Sequence, residues 1–324
     1  MSMDAMLRLP LSVMSPAGPR GRLNILIFHR VLAEPDPISP DTPDATAFES
    51  QMRWVRDWFN VLPLEQAVQR LAEGTVPARA AAITFDDGYA DNEEIAAPIL
   101  QRLGMTATFF ISTGYLAGDI MWNDRVIEAV RGSTVSELDL RRYGLASYDL
   151  STLPARRASI DALLGEIKRL EPERRRALAD TIVAKSRSPR PPALMMRPHQ
   201  LRSLRRMGMT IGAHTVSHPI LTRLPLEQAR DEIVGSKQAL EQMLDETVTL
   251  FAYPNGVPDH DYAAEHAALV RECGFSCAVS TSWGAASMQS DRYQLPRFTP
   301  WDRSRLRYGA RLLANLRRLE QRAA

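Results

Sequence analysis

The chain has 324 residues, of which 45% are hydrophobic and 24% are charged, and its net charge is +2. Such a length and composition support a large buried core and exclude disordered and fibrous proteins. The nearly balanced charge gives no reason to expect a nucleic acid as a partner. The two cysteines, Cys273 and Cys277, are too few for a disulfide framework, and we interpret them as small core residues.

Residues 1–21 do not have the layout of a secretory signal peptide. Charges and prolines interrupt their apolar residues, which leaves no stretch long enough for the apolar centre of a signal. No later stretch reaches the ~18 consecutive apolar residues that a transmembrane helix needs. We therefore expect a cytoplasmic protein without a transmembrane segment.

Apolar runs typical of strands alternate with helical patterns along most of the chain. The runs are nearly continuous, as in strands that are buried on both faces of a parallel sheet. Helical spacing separates them over Thr46–Phe59, Asn92–Leu103 and Leu226–Leu244, and Thr46 with Glu49 fits a capping box. This alternation predicts an α/β fold, a closed or distorted (β/α) barrel. The predicted strands are Leu23–His29, Ala81–Asp87, Ala107–Thr113, Met209–Thr215, Thr249–Pro254, Phe275–Ser280 and Tyr293–Phe298, with Val61–Leu64 as a shorter candidate.

Two segments interrupt or follow this alternation within what we expect to be one domain, 1–324. Residues 117–198 are about twice as long as a connection between neighbouring strands needs, and they contain helical apolar spacing. We predict a helical insertion there, which is either a solvated excursion or a lid or substrate-binding insertion over the active face. Residues 301–324 carry seven arginines and a stripe of leucines. We predict an amphipathic basic helix that closes the barrel, with weak contact to a membrane surface as the alternative.

Two motifs far apart in the sequence carry side chains that can bind a metal. The sequence TFDDG at Thr84–Gly88 ends a predicted strand with two carboxylates. The sequence HTVSH at His214–His218 places two imidazoles on one side of a turn, where they can share an ion. Two imidazoles and one carboxylate leave a coordination position open for water, as in hydrolytic zinc sites. The second aspartate is then free to act as the base on that water.

These motifs resemble those of the polysaccharide deacetylase family, whose first two are TFDDG and H-S/T-x-x-H. The resemblance implies a distorted (β/α)7-type barrel with the motif residues at the carboxyl ends of its strands. It also implies that Asp86 is the catalytic base and that Asp87, His214 and His218 bind the metal. Zinc suits nitrogen and oxygen ligands with one open position, although cobalt or nickel would also be accepted.

The third motif of the family, Arg-x-x-Pro-Tyr, is present only in part. Aligning Pro254 with the family's proline places Phe251 in the arginine position and Asn255 in the tyrosine position. The oxyanion donor in the family is the backbone N–H of that tyrosine. The resemblance therefore assigns the oxyanion role to Asn255, with Tyr253 beside it on the substrate side.

Three further residues are candidates for the site. The missing arginine would orient Asp86, and Arg297, at the end of another predicted strand, is our candidate replacement. The family's last motif, a leucine followed by a catalytic histidine, is absent after Pro296, but His29 ends the first predicted strand. The first and last strands of a closed barrel are neighbours, so we predict that His29 is the general acid, as in circularly permuted members of the family. Trp122 either lines the sugar cleft or packs inside the lid.

The chemistry and the resemblance together predict a metal-dependent deacetylase. It would hydrolyse the N-acetyl group of an N-acetylhexosamine unit in a polysaccharide, an oligosaccharide or a glycan precursor. Two alternatives stay open: an amidohydrolase or O-acetyl esterase that acts on a non-sugar substrate, and a non-catalytic glycan-binding module. The intact aspartates and histidines of the first two motifs argue against the module, whereas Phe251 in the arginine position favours it.

Overall fold

The computed structural model describes residues 3–168, 170–189, 191–299, 301–318 and 320–323. The chain divides into two compact units. One comprises residues 3–34, 43–117 and those from 196 onward, and the other comprises Pro35–Thr42 and Gly118–Met195. The second unit overlaps the insertion expected at 117–198, and it also takes in a short segment from much earlier in the chain.

The elements alternate along the chain in the way that the apolar patterns predict. The strands are β1 (Leu23–Phe28), β2 (Asn60–Val61), β3 (Ala80–Phe85), β4 (Thr108–Ile111), β5 (Glu137–Asp139), β6 (Ser147–Asp149), β7 (Thr210–Ala213), β8 (Leu250–Ala252) and β9 (Cys277–Val279). The α-helices are α1 (Met3–Met14), α2 (Ala45–Trp58), α3 (Leu64–Ala72), α4 (Ala97–Arg102), α5 (Trp122–Arg131), α6 (Leu153–Ile167), α7 (Pro172–Ser186), α8 (Pro198–Arg206), α9 (Leu226–Leu244), α10 (Ala264–Glu272) and α11 (Arg305–Asn315). A π-helix, Asn92–Ala96, leads into α4, and short 3-10 turns lie at Thr113–Tyr115, Arg141–Tyr143 and Leu221–Arg223.

The first unit is built on a curled parallel sheet with the strand order β1-β3-β4-β7-β8-β9. Each of these neighbours pairs in parallel. Strand β2 pairs with Ala80 and Ala81 of β3. Strand β1 pairs with all of β3 along one edge, so β2 lies on the other edge. Strand β4 pairs with that same edge at Thr84 and Phe85. Strands β1 and β3 are buried throughout, as continuous apolar runs require. The predicted α/β fold is confirmed.

Residues 295–298 connect the two edge strands of this sheet. Leu295 exchanges two backbone hydrogen bonds, of 2.9 and 2.8 Å, with β9 and the residue after it. Phe298 exchanges two, of 2.8 and 3.1 Å, with β1. We predicted a full strand over Tyr293–Phe298, but the chain makes isolated bridges instead, because Pro296 between them has no N–H to donate. The sheet is thereby closed along part of its length.

Two predicted boundaries are wrong. Helix α2 is capped by Asp44, whose carboxylate accepts the N–H of Ala47 at 3.0 Å. The capping box of Thr46 and Glu49 does not form, because the Glu49 carboxylate pairs with two arginines. The short strand predicted at Val61–Leu64 is displaced to β2, since α3 begins where that strand would end.

The C-terminal helix α11 packs on the first unit beside α1 and α2. Tyr308 and Leu312 of α11 are buried in the same core as Leu7 and Leu11 of α1. Leu306 lies on the outside and is 60% exposed. The apolar side of the basic helix is therefore used mostly inside the protein. Among the residues that the structure describes, no helix has the length and apolar character to cross a membrane.

The second unit has a core of its own. Helices α5, α6 and α7 pack with the antiparallel pair β5–β6, and they bury residues such as Val126, Leu163 and Ile182. Arg131 of α5 binds Asp36 through two hydrogen bonds of 2.7 Å each. This bidentate pair attaches the Pro35–Thr42 segment to the unit.

Candidate active site

The carboxyl ends of the parallel strands carry the residues of the motifs. Asp86 and Asp87 directly follow β3, His214 directly follows β7, and His29 directly follows β1. Because parallel strands end at the same edge of a sheet, residues that are distant in sequence become neighbours there. The predicted positions of these four residues at strand ends agree with the structure.

Asp87, His214 and His218 form a cluster that suits one cation. Oδ1 of Asp87 lies 3.5 Å from Nε2 of His214 and 3.3 Å from Nε2 of His218. The candidate ligand atoms all lie within 4.8 Å of one another. Oδ1 of Asp87 is buried and has no hydrogen-bond partner in the described structure, although buried polar atoms normally have one. A divalent cation would supply that partner, so these residues fit the metal that the sequence predicts.

The loop that carries both histidines is held from two sides. Nδ1 of His214 lies 2.7 Å from the carbonyl oxygen of Ala252 in β8. Since a carbonyl only accepts, Nδ1 carries the proton and the lone pair of Nε2 is left for a ligand. Glu232 of α9 accepts the backbone N–H groups of Val216 and Ser217, both at 2.8 Å. Packing around the sheet therefore fixes both the loop and the tautomer of His214.

The backbone of the cluster is strained. Asp87, Thr215 and His218 adopt left-handed conformations, with φ values of 76°, 62° and 56°. Such conformations cost about 1–3 kcal/mol each in residues other than glycine, and they are concentrated at functional sites. The Thr215 hydroxyl accepts the N–H of His218 at 3.1 Å and thereby stabilises the turn. The strain holds the three side chains around one point.

The charges of the cluster set its protonation states. Burial raises the pKa of Asp87, but the imidazoles of His214 and His218 outweigh it and hold that pKa below its usual range. Burial lowers the pKa of His218 to about 4, so this imidazole is neutral at neutral pH. Burial also lowers the pKa of His214, but the carboxylates of Asp86 and Asp87 outweigh this effect and raise it. An ionised carboxylate beside a neutral imidazole is ready to bind a metal, which would displace the remaining proton.

Asp86 and Arg297 form a buried bidentate ion pair. Nη1 of Arg297 donates to Oδ1 of Asp86 at 2.7 Å, and Nη2 donates to Oδ2 at 2.6 Å. Asp86 is 2% exposed and Arg297 is fully buried. Burial raises the pKa of Asp86, but the guanidinium of Arg297 and the imidazole of His214 outweigh it, so the pKa lies below its usual value. The carboxylate is therefore kept ionised and held in one orientation.

The remaining contacts of Arg297 hold it where it can take the role of the motif arginine, whose position in this chain is occupied by Phe251. Its Nε donates to the carbonyl oxygen of Ser280 at 2.8 Å, and Nη1 also reaches the hydroxyl of Thr84 at 3.2 Å. Phe251, in the arginine position of the family motif, is fully buried among core aromatics. The contact that the resemblance expects from the motif arginine is thus made from the bridging segment 295–298. Phe251 therefore no longer favours a non-catalytic module.

His29 lies at the same edge of the sheet and is exposed. It is close enough for its charge to favour the ionised forms of Asp86 and Asp87. Nδ2 of Asn92 donates to the carbonyl oxygen of His29 at 2.8 Å. His29 is therefore a solvent-accessible imidazole beside the buried cluster, on a backbone that is tied to the segment after TFDDG.

Asp91 holds the residues that follow His29. Its Oδ1 accepts the N–H of Val31 at 3.2 Å, and its Oδ2 accepts Nε of Arg30 at 2.8 Å. Asp91 directly precedes the π-helix Asn92–Ala96, a rare element that is often found at functional sites. Sequence reasoning missed Asp91 and Asn92, because the pattern over this segment predicts an ordinary α-helix. Their position a few residues after Asp86 and Asp87 was the one feature of the sequence that could have indicated them.

The other predicted site residues differ in their surroundings. Asn255 follows β8, is half-buried and left-handed with φ 59°, and its carbonyl oxygen accepts the hydroxyl of Thr281 at 2.6 Å. Tyr253 is fully buried, and its hydroxyl donates to the carbonyl oxygen of Tyr293 at 2.8 Å. Its side chain therefore packs beneath the strand end without access to a substrate. Trp122 belongs to the second unit, where a guanidinium lies 5.1 Å from its ring centre, and its role stays a prediction.

A curled parallel sheet with two aspartates and two histidines at its carboxyl edge is the arrangement that the motifs predict for a carbohydrate deacetylase. The polysaccharide deacetylase family matches residues 73–161 and 165–278, which make up more than half of the chain. The matched residues contain Asp86, Asp87 and both histidines of the cluster. The chain belongs to the polysaccharide deacetylase family.

Similar proteins agree with this assignment. The "Putative polysaccharide deacetylase YxkH" of Bacillus subtilis strain 168 is 23% identical over 278 residues, which cover 85% of this chain and 70% of that protein. The deacetylase PplD of Streptococcus pyogenes, solved with acetate, has a TM-score of 0.60 at 18% identity and covers 92% of this chain and 99% of its own. IcaB from Ammonifex degensii has a TM-score of 0.57 at 17% identity and covers 91% of this chain and 97% of its own. The two structures share the fold of this chain.

Proposed function

We propose that this protein is a metal-dependent hydrolase that removes the N-acetyl group from an N-acetylhexosamine unit of a glycan. The observation that carries the proposal is the cluster of Asp87, His214 and His218 beside the ion pair of Asp86 and Arg297. Zinc is the ion that we propose first, because an oxygen and two nitrogens with an open position suit it, and cobalt or nickel would also fit. When bound, such an ion polarises an amide carbonyl and makes a water molecule more acidic.

Asp86 is the general base in this proposal. Its carboxylate is ionised at neutral pH, and two hydrogen bonds from Arg297 fix its orientation. It takes the proton of the attacking water as the oxygen bonds to the amide carbon. Arg297 does not itself touch the substrate, because it is fully buried; it positions and ionises the base. General bases of this kind typically contribute ~10²–10⁴-fold to a rate.

Asn255 and His29 complete the reaction. The backbone N–H of Asn255 donates to the oxyanion as the carbonyl oxygen of the substrate gains charge. The left-handed turn at Asn255 lies at the carboxyl edge of the sheet, and the hydroxyl of Thr281 holds it in place. His29, as an imidazolium, gives its proton to the departing nitrogen while the C–N bond breaks. Amide and water thus become a free amine and acetate, in equal amounts.

The proposed substrate class rests on the family and on the names of its members. The family acts on polysaccharides by its description, and the structure of PplD contains acetate. The direct test is to incubate the metal-loaded protein with N-acetylated oligosaccharides and to measure acetate and free amine together. We expect equal amounts of the two products. Acetate from an O-acetylated substrate with no reaction on any N-acetylated sugar would favour the esterase alternative instead.

A further inference from the structure

A pocket in the first unit is lined partly by the loop that follows β9. It has a volume of about 470 Å³, which is within the usual range for sites of small ligands. Its lining combines an indole ring, a guanidinium, two hydroxyls and an amide. The lining residues are Val257, Pro258, Thr281, Ser282, Trp283, Arg318 and Gln321.

The pocket shares its backbone with the active site. The hydroxyl of Thr281 donates to the carbonyl oxygen of Asn255 at 2.6 Å, and the N–H of Thr281 donates to the carbonyl oxygen of Gly256 at 2.9 Å. The carbonyl oxygen of the preceding residue, Ser280, accepts Nε of Arg297 at 2.8 Å. The loop that supports the base-holding arginine and the proposed oxyanion turn therefore continues into the wall of the pocket.

Arg318 makes the pocket positive. Its guanidinium lies 4.5 Å from the centre of the Trp283 ring, in a cation–π contact. In the described part of the chain, no carboxylate pairs with Arg318, whereas Arg311 and Arg322 in the same tail pair with Asp302 and Glu320. The Arg318 side chain is exposed, so its fork of donors is free to bind an anion.

Trp283 supplies the apolar surface of the pocket. It is 38% exposed, and its other contacts are with Phe298 and Trp301. A partly exposed indole beside hydroxyl and amide groups offers an apolar edge and polar partners together, which is what a sugar ring requires. Trp283, Arg318 and Gln321 all lie beyond residue 278, where the match to the family ends. The pocket therefore combines Val257 and Pro258, which lie inside the matched residues, with side chains from the C-terminal part of this chain.

We infer that this pocket is a subsite for an anionic sugar residue next to the residue that is deacetylated. Arg318 binds the anionic substituent, the sugar ring packs against Trp283, and Ser282 and Gln321 bind its hydroxyls. The inference rests on the proposed function, because it places the anionic residue in the same glycan as the N-acetylated one. The glycan of this enzyme would then be acidic, with an N-acetylhexosamine adjacent to a charged sugar.

The test compares two tetrasaccharides of equal length. Chitotetraose is neutral, whereas a hyaluronan tetrasaccharide alternates N-acetylglucosamine with the carboxylate sugar glucuronate. Calorimetry on the full chain, in an Asp86→Asn background that prevents turnover, should give tighter binding of the acidic tetrasaccharide. Arg318→Gln should weaken that binding about tenfold, the effect of losing one charge-assisted contact. It should leave the binding of chitotetraose unchanged.

Arg317→Gln is the matched control, because Arg317 is an exposed neighbour that does not line the pocket. It removes the same charge and should change neither affinity. Trp283→Ala should weaken both ligands, and the preference for the acidic tetrasaccharide should shrink at high salt. Equal affinity of the two tetrasaccharides, or equal losses in the two arginine variants, would overturn the inference.

Kinetics in protein with an intact Asp86 separate this inference from the proposed function. With the same pair of substrates, Arg318→Gln should raise KM for the acidic tetrasaccharide about tenfold and leave kcat unchanged. If no substrate yields acetate but the binding preference persists, the proposed function fails while the anionic subsite stands. If both substrates are deacetylated with the same KM in wild type and Arg318→Gln, the subsite fails while the function stands.

Discussion

Arg297 and Asp86 lie 211 residues apart in sequence, yet they meet through two hydrogen bonds of 2.7 and 2.6 Å inside the protein. Asp86 comes from the end of β3, whereas Arg297 comes from the segment that connects β9 to β1. Because that segment closes the sheet, it brings a guanidinium to Asp86. The family motif would provide this guanidinium from the position that Phe251 occupies in this chain. Closure of the sheet and orientation of the proposed base therefore depend on the same few residues.

Replacing Arg297 should impair both the fold and the reaction. Arg297→Met leaves a buried carboxylate without its cation, which typically costs ~3–5 kcal/mol of stability. The pKa of Asp86 should rise, because burial is then opposed mainly by His214, and the acidic fall in rate should move to higher pH. Arg297→Lys keeps the charge but loses the fork, so we expect an intermediate rate. Thermal unfolding and a pH–rate profile measure the two effects separately.

The ion pair also gives stability a definite pH dependence. The pKa of Asp86 in the folded protein lies below its ordinary value of 3.8. Its contribution is therefore fully present above that value and is lost as the pH falls through the folded pKa. Urea titrations of metal-free protein should show a loss of stability in this acidic range that is smaller in an Asp86→Asn variant. Identical acid sensitivity in the two proteins would argue against the pair as its source.

Asp86→Asn should keep the metal and lose turnover. The amide cannot take a proton from water, so we expect kcat to fall by ~10²–10⁴-fold. Metal content should stay near that of the wild type, because Asp87, His214 and His218 are intact. Asp87→Asn is the paired control, and it should lose metal. The reverse result, with metal lost from Asp86→Asn and kept by Asp87→Asn, would exchange the two roles.

His29→Gln tests the general acid. The departing nitrogen needs a proton before the tetrahedral intermediate can collapse, so kcat should fall about 10²-fold or more with KM little changed. The side chain of His29 is exposed, so its replacement should not disturb the fold. If the variant kept wild-type activity, the general acid would have to be another group.

Asn92→Ala should act through His29. The side chain of Asn92 donates to the carbonyl oxygen of His29 at 2.8 Å and is itself buried. Its loss should loosen the strand end and lower kcat by about tenfold, with metal content unchanged. Asn92→Leu is the matched control for size, since it removes the donor, nearly keeps the volume and adds no charge beside Asp91, whose Oδ1 lies 3.0 Å from Nδ2 of Asn92. The double variant His29→Gln with Asn92→Ala tests whether the two residues act together. If its rate equals that of His29→Gln alone, they act in the same step. Additive losses of rate would contradict this coupling.

Much of the site followed from the sequence because the chemistry is local in the chain. Asp86 with Asp87, and His214 with His218, are each defined by a few adjacent residues at the end of an apolar run. Parallel strands then bring such ends to one edge without further information. The helices whose boundaries were predicted well, such as α9, have a continuous apolar stripe.

The less accurate predictions concern features that depend on tertiary contacts. The stripe that predicts a helix from Asn92 does not reveal its π-helical first turn or the hydrogen bond from Asn92 to the carbonyl oxygen of His29. Tyr253 lies beside the motif proline, but the pleat of β8 directs its ring into the core, where it stacks on Tyr262 at 3.9 Å. The segment Pro35–Thr42 joins the second unit through the pair of Asp36 and Arg131, a contact that no local pattern indicates.

The central claim, metal-dependent deacetylation, is tested most directly by acetate release from protein that is stripped with a chelator and then reloaded. Using chitotetraose and a hyaluronan tetrasaccharide, we expect the stripped protein to release almost no acetate. About one equivalent of Zn²⁺ should restore the rate. His218→Ala, which removes one of three proposed ligands, should stay inactive at the same zinc concentration while keeping its fold by circular dichroism. Full acetate release from the stripped protein would contradict the account.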